Sequence, residues 1–176
     1  ASYHINRYWA GGLSTAPSSV IFSAANNIFD STGTDTGTFT VNVGDGDQVM
    51  GLSQTYYGSL YIWKGPQFGS VFQLSGNTPT TFVLAKVSHG APLLNPKALV
   101  STPADLFWLS NYGIHSLQTT VKFGNVESAF LSLPIQRLWR DNIIKRTTLS
   151  EAWGFWNPTR NIVGWASRID RSAAFV

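Results

Sequence analysis

Gly58-Ser59-Leu60-Tyr61-Ile62-Trp63-Lys64-Gly65 and Ala104-Asp105-Leu106-Phe107-Trp108-Leu109-Ser110 are built alike. Small or turn residues lead in, a short apolar run follows, and Gly or Ser closes it. In the first copy Leu60 and Ile62 fall on one face of an extended chain, and Tyr61 and Trp63 on the other. A strand apolar on both faces must be covered on both, which a single sheet with one wet face does not provide. This predicts strands sandwiched between stacked sheets, with Leu60, Ile62, Phe107 and Leu109 buried.

Fainter copies lie at each end of the chain, Asn6-Arg7-Tyr8-Trp9-Ala10-Gly11-Gly12 and Asn161-Ile162-Val163-Gly164-Trp165-Ala166-Ser167. Centred on Tyr8, Leu60, Phe107 and Val163, the copies recur at 52, 47 and 56 residues. A period in the forties to fifties with several strands inside it is the signature of propeller blades. The fold expected is therefore all-β and β-propeller-like, with four-stranded antiparallel blades at roughly 1–37, 38–90, 91–145 and 146–176. It is either a four-bladed closed ring or part of a larger propeller, and the first blade reads as lacking its opening strands.

Between the repeats, turn chemistry separates the strands. Residues 3–12 read as one strand running into a Gly-Gly turn, and 18–23 as the next. After the loop at 31–37, Phe39-Thr40-Val41-Asn42-Val43 alternates with period 2, and Gly44-Asp45-Gly46-Asp47 turns the chain. Strands at 49–54, 60–63, 70–74 and 81–87 make a complete meander. A second meander starts at 97–101 and continues through 106–109 and 113–120. One short helix between blades is predicted from Ser132 to Ile143, with Ser132 as cap and Pro134 in the first turn. Ile135, Leu138 and Trp139 form its apolar stripe, and Arg137 and Arg140 point away from it.

Composition narrows the function classes. The chain of 176 residues is 14% aromatic but only 12% charged, which argues against disorder and for a surface covered by other subunits. No run of eighteen apolar residues predicts a membrane helix, and no signal peptide is legible. The first residue is Ala, so the chain reads as processed or as a segment of something longer. Zero cysteines exclude disulfides and thiolate chemistry and fit assembly in a reducing cytoplasm. The net charge of +3 is uneven: residues 137–171 hold seven basic residues against three acidic ones. That segment is the candidate for phosphate contact.

The order of segments resembles a known family. A Trp9-Ala10-Gly11-Gly12 start leads through Val20-Ile21-Phe22-Ser23 to Val43-Gly44-Asp45-Gly46-Asp47-Gln48-Val49-Met50-Gly51-Leu52. Leu60-Tyr61-Ile62-Trp63, Val71-Phe72-Gln73-Leu74-Ser75-Gly76 and His89-Gly90-Ala91 follow. Leu106-Phe107-Trp108-Leu109-Ser110-Asn111-Tyr112-Gly113-Ile114-His115-Ser116-Leu117 then precedes Leu131-Ser132-Leu133-Pro134-Ile135. Over roughly residues 5–168 this resembles the β-propeller part of phage tail proteins, the nozzle or tubular tail proteins of short-tailed double-stranded DNA phages. The resemblance implies a structural virion protein in the tail, a homo-oligomeric ring below portal and adaptor proteins, around the channel through which DNA leaves. It carries no catalytic motif and no cofactor. Arg137, Arg140, Lys145 and Arg146 are the candidates for sparse, sequence-blind contact with DNA in such a channel.

Other chemistry finds little support in the residues. His4, His89 and His115 are widely spaced, and no Gly-x-Ser-x-Gly elbow is present. Ser110-Asn111-Tyr112-Gly113 reads as a turn, as does Gly44-Asp45-Gly46-Asp47, which lacks the calcium-loop pattern. No metal site is predicted. Aromatic residues interleaved with cations, as in Trp153-Gly154-Phe155-Trp156-Asn157-Pro158-Thr159-Arg160, suit stacking on sugars or single strands. They leave a glycan-binding propeller as the alternative, against the simpler reading that these rings pack between blades.

Overall fold

The computed structural model describes residues 1–118, 131–143 and 149–168. The chain divides into two compact units, Ala1–Pro92 and Leu93–Val176. Among the described residues, every strand pairs antiparallel with its chain neighbour, so the protein is all-β apart from short helical turns.

The first unit holds two four-stranded meanders. One comprises β1 (Ser2–His4), β2 (Arg7–Leu13), β3 (Ala16–Phe22) and β4 (Gly37–Thr40). The other comprises β5 (Gln48–Leu52), β6 (Leu60–Gly65), β7 (Ser70–Ser75) and β8 (Val83–His89). In the second unit β9 (Leu99–Ser101), β10 (Leu106–Leu109) and β11 (Ile114–Ser116) form a three-stranded sheet. Strands β12 (Trp153–Asn157) and β13 (Ile162–Ala166) form a pair.

The four repeated stretches all become the second strand of their sheet: β2, β6, β10 and β13. Each carries one tryptophan, namely Trp9, Trp63, Trp108 and Trp165. The first three are fully buried and the fourth is half-buried. The third strand places a buried residue directly opposite each buried ring: Phe22 across from Trp9, Val71 from Trp63, and His115 from Trp108. Cross-strand partners share a face, so each indole is held from the side as well as from above.

In the first unit the two sheets pack face to face around Trp9, Val20, Phe22, Val49, Leu60, Ile62, Phe72 and Leu74. Gly11 lets β2 approach β5, since a Cβ there would stand 2.7 Å from Val49 Cγ1. Phe39 and Phe82 are only half-buried, beside a cleft of about 300 Å3 bounded by Phe22, Leu74 and Leu84. Trp9, Phe22 and Phe82 meet there with ring centroids 5.0 to 5.4 Å apart, a spacing favoured for tilted and edge contacts. All six residues of β6 are buried, as its two apolar faces require.

Buried charges tie down the loops of this unit. The ammonium of Lys64, fully buried, donates to the carbonyls of Val41 and Asn42 at 2.8 Å each and to Asp45 Oδ1 at 2.6 Å. Burial raises the Asp45 pKa, but hydrogen bonds from Lys64, Asn42 and the Asp47 N–H outweigh it and hold the carboxyl below the usual range. Asp47 accepts from the N–H groups of Gln67 at 2.8 Å and Gly69 at 2.6 Å, closing the β6–β7 turn. The Gly44–Asp47 stretch is thus a turn braced by a lysine. Arg7 donates to Ser23 O at 2.9 Å and Asp35 Oδ1 at 2.7 Å, stapling the long β3–β4 loop.

Four expectations need correction. Residues 3–12 are a hairpin and not one strand, because Ile5 and Asn6 take positive φ (50° and 54°) and form a two-residue turn. That turn gives the first sheet four strands. Phe107 is half-buried, while its neighbour Trp108 takes the core position. Ser132 does not cap a helix with its side chain: its Oγ accepts from Ile114 N at 3.2 Å. The helical stretch is a chain of short turns, Leu133–Ile135, Gln136–Leu138 and Trp139–Ile143.

Candidate functional site

The basic segment is moored to the β10–β11 hairpin by its uncharged residues. Trp139, buried, donates from Nε1 to Asn111 O at 3.2 Å, and Gln136 Nε2 donates to Tyr112 O at 3.2 Å. Anchored on this side, the segment presents Arg137 and Arg140 to solvent, their side chains 93% and 72% exposed. Both reach the same carboxylate, Asp141, at 3.8 and 3.1 Å. Exposed pairs of this kind contribute little to stability, and a phosphate competes for the guanidiniums at small cost. The trio carries a net charge of +1. Lys145 and Arg146, the other two predicted DNA-channel residues, lie outside the described residues.

Leu133, Ile135 and Leu138 are 60%, 43% and 51% exposed. The expected apolar stripe therefore does not bury as a unit, and only Trp139 of the predicted set is sealed. A run that winds through 3-10, α and π turns cannot keep one face aligned with a 3.6-residue period.

A Ser–His pair also forms, which the wide spacing of the histidines did not suggest. Ser110 Oγ and His115 Nε2 stand 2.6 Å apart, with the His115 ring stacked on Trp108 at 5.1 Å. Both residues are fully buried, and desolvation lowers the His115 pKa to about 3. The imidazole is neutral at ordinary pH, and the two buried side chains satisfy one another by this hydrogen bond inside the sheet. Asp105 completes the polar core of this sheet, accepting from Leu106 N at 2.7 Å, from Gln118 N at 3.1 Å and from the Ser116 hydroxyl. Its position before an apolar strand gave no hint of this, because Ser116 and Gln118 reach it from the adjacent strand β11 and the residues just after it.

Strand β12 lays Trp153 and Phe155 on one exposed face, their ring centroids 5.8 Å apart. The Phe155 ring covers Gly164, where a Cβ would stand 2.6 Å from Cζ. On the opposite face Trp165 covers Gly154 and donates from Nε1 to Ala98 O at 2.8 Å. Each glycine of this pair of strands is thus shielded by an aromatic ring. Among the described residues no group of three or more His, Asp or Glu side chains is placed to hold a metal ion, and no helix is long and apolar enough to cross a membrane. The chain matches no protein-family model and no curated protein sequence.

Proposed function

We propose that the chain is a structural subunit of a phage tail, a propeller-like part of a nozzle or tube ring around the DNA exit channel. The observation that carries this reading is the recurrence of one antiparallel sheet with a tryptophan on its second strand. Successive antiparallel meanders, the first two packed around one shared apolar cluster, are the units from which stacked blades are built. The resemblance to tail proteins supplies the setting: a virion component, assembled in the host cytoplasm, that touches other tail and adaptor proteins. Within it Arg137 and Arg140 are the channel candidates. Their contacts with DNA are electrostatic, weak and independent of sequence, because a gripped genome would not pass.

Head-to-tail contacts that close into a ring exhaust the sticky surface of each copy. Native mass spectrometry of the purified chain, with electron microscopy of its particle, tests the proposal. A closed cyclic oligomer on a tail is the expected result. A folded monomer at high concentration, present as isolated copies in the particle, overturns it.

The exposed faces of Trp153 and Phe155 favour a second reading, a glycan-binding propeller whose aromatic rings stack on sugars. A glycan array separates the two, since a ring subunit shows no sugar selectivity.

A further inference from the structure

We propose, independently of the function above, that Trp63, Tyr61, Tyr56 and Tyr57 form a relay that carries an oxidising equivalent from the core of the first unit to its surface. The chain has no cysteine and one methionine, so indole and phenol rings are the groups from which it gives up single electrons most readily. Where such rings touch in a row, an electron lost from one is replaced from the next.

Strand β6 supplies the inner half of the row. Tyr61 and Trp63 are two residues apart and share one face of the strand, their ring centroids 6.3 Å apart. Ser53 pins the backbone of Tyr61: its N–H donates to Tyr61 O at 2.9 Å, and its Oγ accepts from Tyr61 N at 2.9 Å. The Tyr61 ring meets Tyr56 at 6.1 Å, and Tyr56 meets Tyr57 at 4.6 Å, both edge-on. Each step lies in the range of direct ring contact. Exposure changes abruptly at the end of the row: Trp63 0%, Tyr61 7%, Tyr56 7% and Tyr57 80%. Three sealed rings lead to one that stands in solvent.

The turn that presents Tyr57 runs against backbone preference. Tyr56 and Ser59 exchange backbone hydrogen bonds at 2.9 and 3.1 Å across Tyr57 and Gly58, whose φ angles are 46° and 73°. A two-residue turn with both central φ positive favours Asn-Gly or Asp-Gly, and a bulky side chain in its first position is disfavoured. Tyrosine there seats a ring on Tyr56, which asparagine would not. Strain kept at one residue points to a use for its side chain. Trp9 is the contrast. It is equally buried on β2, but its ring contacts among the described residues are His4, Phe22, Phe39 and Phe82, none as easily oxidised as an indole.

A one-electron oxidant takes an electron from the Trp63 indole and is itself reduced, leaving the indole radical cation. Electrons then move one ring inward, from Tyr57 to Tyr56, from Tyr56 to Tyr61 and from Tyr61 to Trp63, and the indole is restored. Tyr57 releases its phenolic proton to water and is left as the neutral tyrosyl radical. Burial, with the neighbouring Tyr56, raises the pKa of Tyr61 and makes it a poor place for the proton to leave, so the radical settles on exposed Tyr57. A soluble thiol then gives Tyr57 a hydrogen atom, restoring the phenol and leaving a thiyl radical in solution.

The test irradiates the full chain at the red edge of the indole band, where phenols do not absorb. A soluble cobalt(III) ammine serves as electron acceptor, and a nitroso spin trap captures the radical for location by peptide mass spectrometry. We expect the adduct chiefly on Tyr57, with Tyr3, Tyr8 and Tyr112 as controls exposed at 55%, 41% and 50%. In Trp63→Phe the Tyr57 adduct falls several-fold while the control adducts hold. Tyr61→Phe, which keeps the indole and the ring packing, gives the same readout where Trp63→Phe does not fold. Tyr57→Phe, which removes only an exposed hydroxyl, raises oxidation of Trp63 several-fold. Adducts spread over the four exposed tyrosines in proportion to exposure overturn the relay. So does a Tyr57 adduct unchanged in Tyr61→Phe, which means oxidation from solution, or unchanged Trp63 oxidation in Tyr57→Phe.

Discussion

Strands β6 and β13 start from nearly the same instructions and end in different environments. Both follow a turn residue, are largely apolar, and include one tryptophan. Six of six residues are buried in β6 and none of five in β13. The difference lies in the neighbours: β6 has a strand on each side and a second sheet on Leu60 and Ile62, while among the described residues β13 has one partner strand and a cleft beside it. Burial thus follows the neighbours that cover a strand, and its apolar pattern is only the precondition. The two units differ in the same sense. The first is two four-stranded meanders on a continuous cluster; the described residues of the second form a three-stranded sheet, a pair of strands and a helical segment with exposed leucines.

The largest predicted effect contrasts the two tryptophans. Trp63→Ala is expected to cost about 3–5 kcal/mol, as for a large side chain in a close-packed core. Trp165→Ala, at a half-buried site, is expected to cost about half of that. Chemical denaturation measures both, and equal losses would break the contrast between β6 and β13. Phe107→Ala belongs with the smaller class, since Trp108 holds the core position.

Next comes Lys64→Met, which leaves the Val41 and Asn42 carbonyls and the Asp45 carboxylate without their donor. A loss of about 2–4 kcal/mol is expected, because one partner of a buried pair has been removed. Thermal and urea melts check it, and a stabilised variant would mean the ammonium is a burden on the fold.

Acid sharpens the comparison from the other unit. Desolvation lowers the His115 pKa from 6.5 to about 3, so the unfolded chain takes up a proton at a pH where the folded one does not. The stability that neutral His115 contributes is complete above about pH 6.5 and falls as pH drops toward 3. The slope is at most about 1.4 kcal/mol per pH unit. His4 shifts in the same direction by burial, with its Nδ1 2.7 Å from Thr55 Oγ1. Denaturant midpoints between pH 7.5 and 4 should therefore fall, and His115→Gln should flatten the part that belongs to the second unit. An unchanged slope in that variant would assign the acid sensitivity to other groups.

The smallest effect is at the surface. Asp141→Asn frees both Arg137 and Arg140 from their shared carboxylate. Stability should change by less than about 0.5 kcal/mol. Retention on double-stranded DNA at low salt should rise, and the gain should vanish as salt is added. No change in retention would remove these two arginines from the DNA-contact proposal.

Much of this molecule is determined by the sequence alone, for a simple reason: strand periodicity and turn residues act over a few neighbours. The four tryptophan-bearing stretches, the meander of β5 to β8 and the turns at 44–47 and 110–113 are all legible from local pattern. The turn at Ile5 and Asn6 is not, because neither residue is a glycine and a β-branched residue at positive φ runs against local preference. The exposure of Leu138 beside buried Trp139 is equally hidden, since it depends on the changing helical pitch.

Only the tertiary structure brings Asp45 to Lys64 and Asp35 to Arg7. It also decides which of two adjacent aromatic residues, Phe107 or Trp108, enters the core. Those outcomes depend on which strands lie beside and above each residue. That information is absent from any short window of chain and is created when the sheets stack.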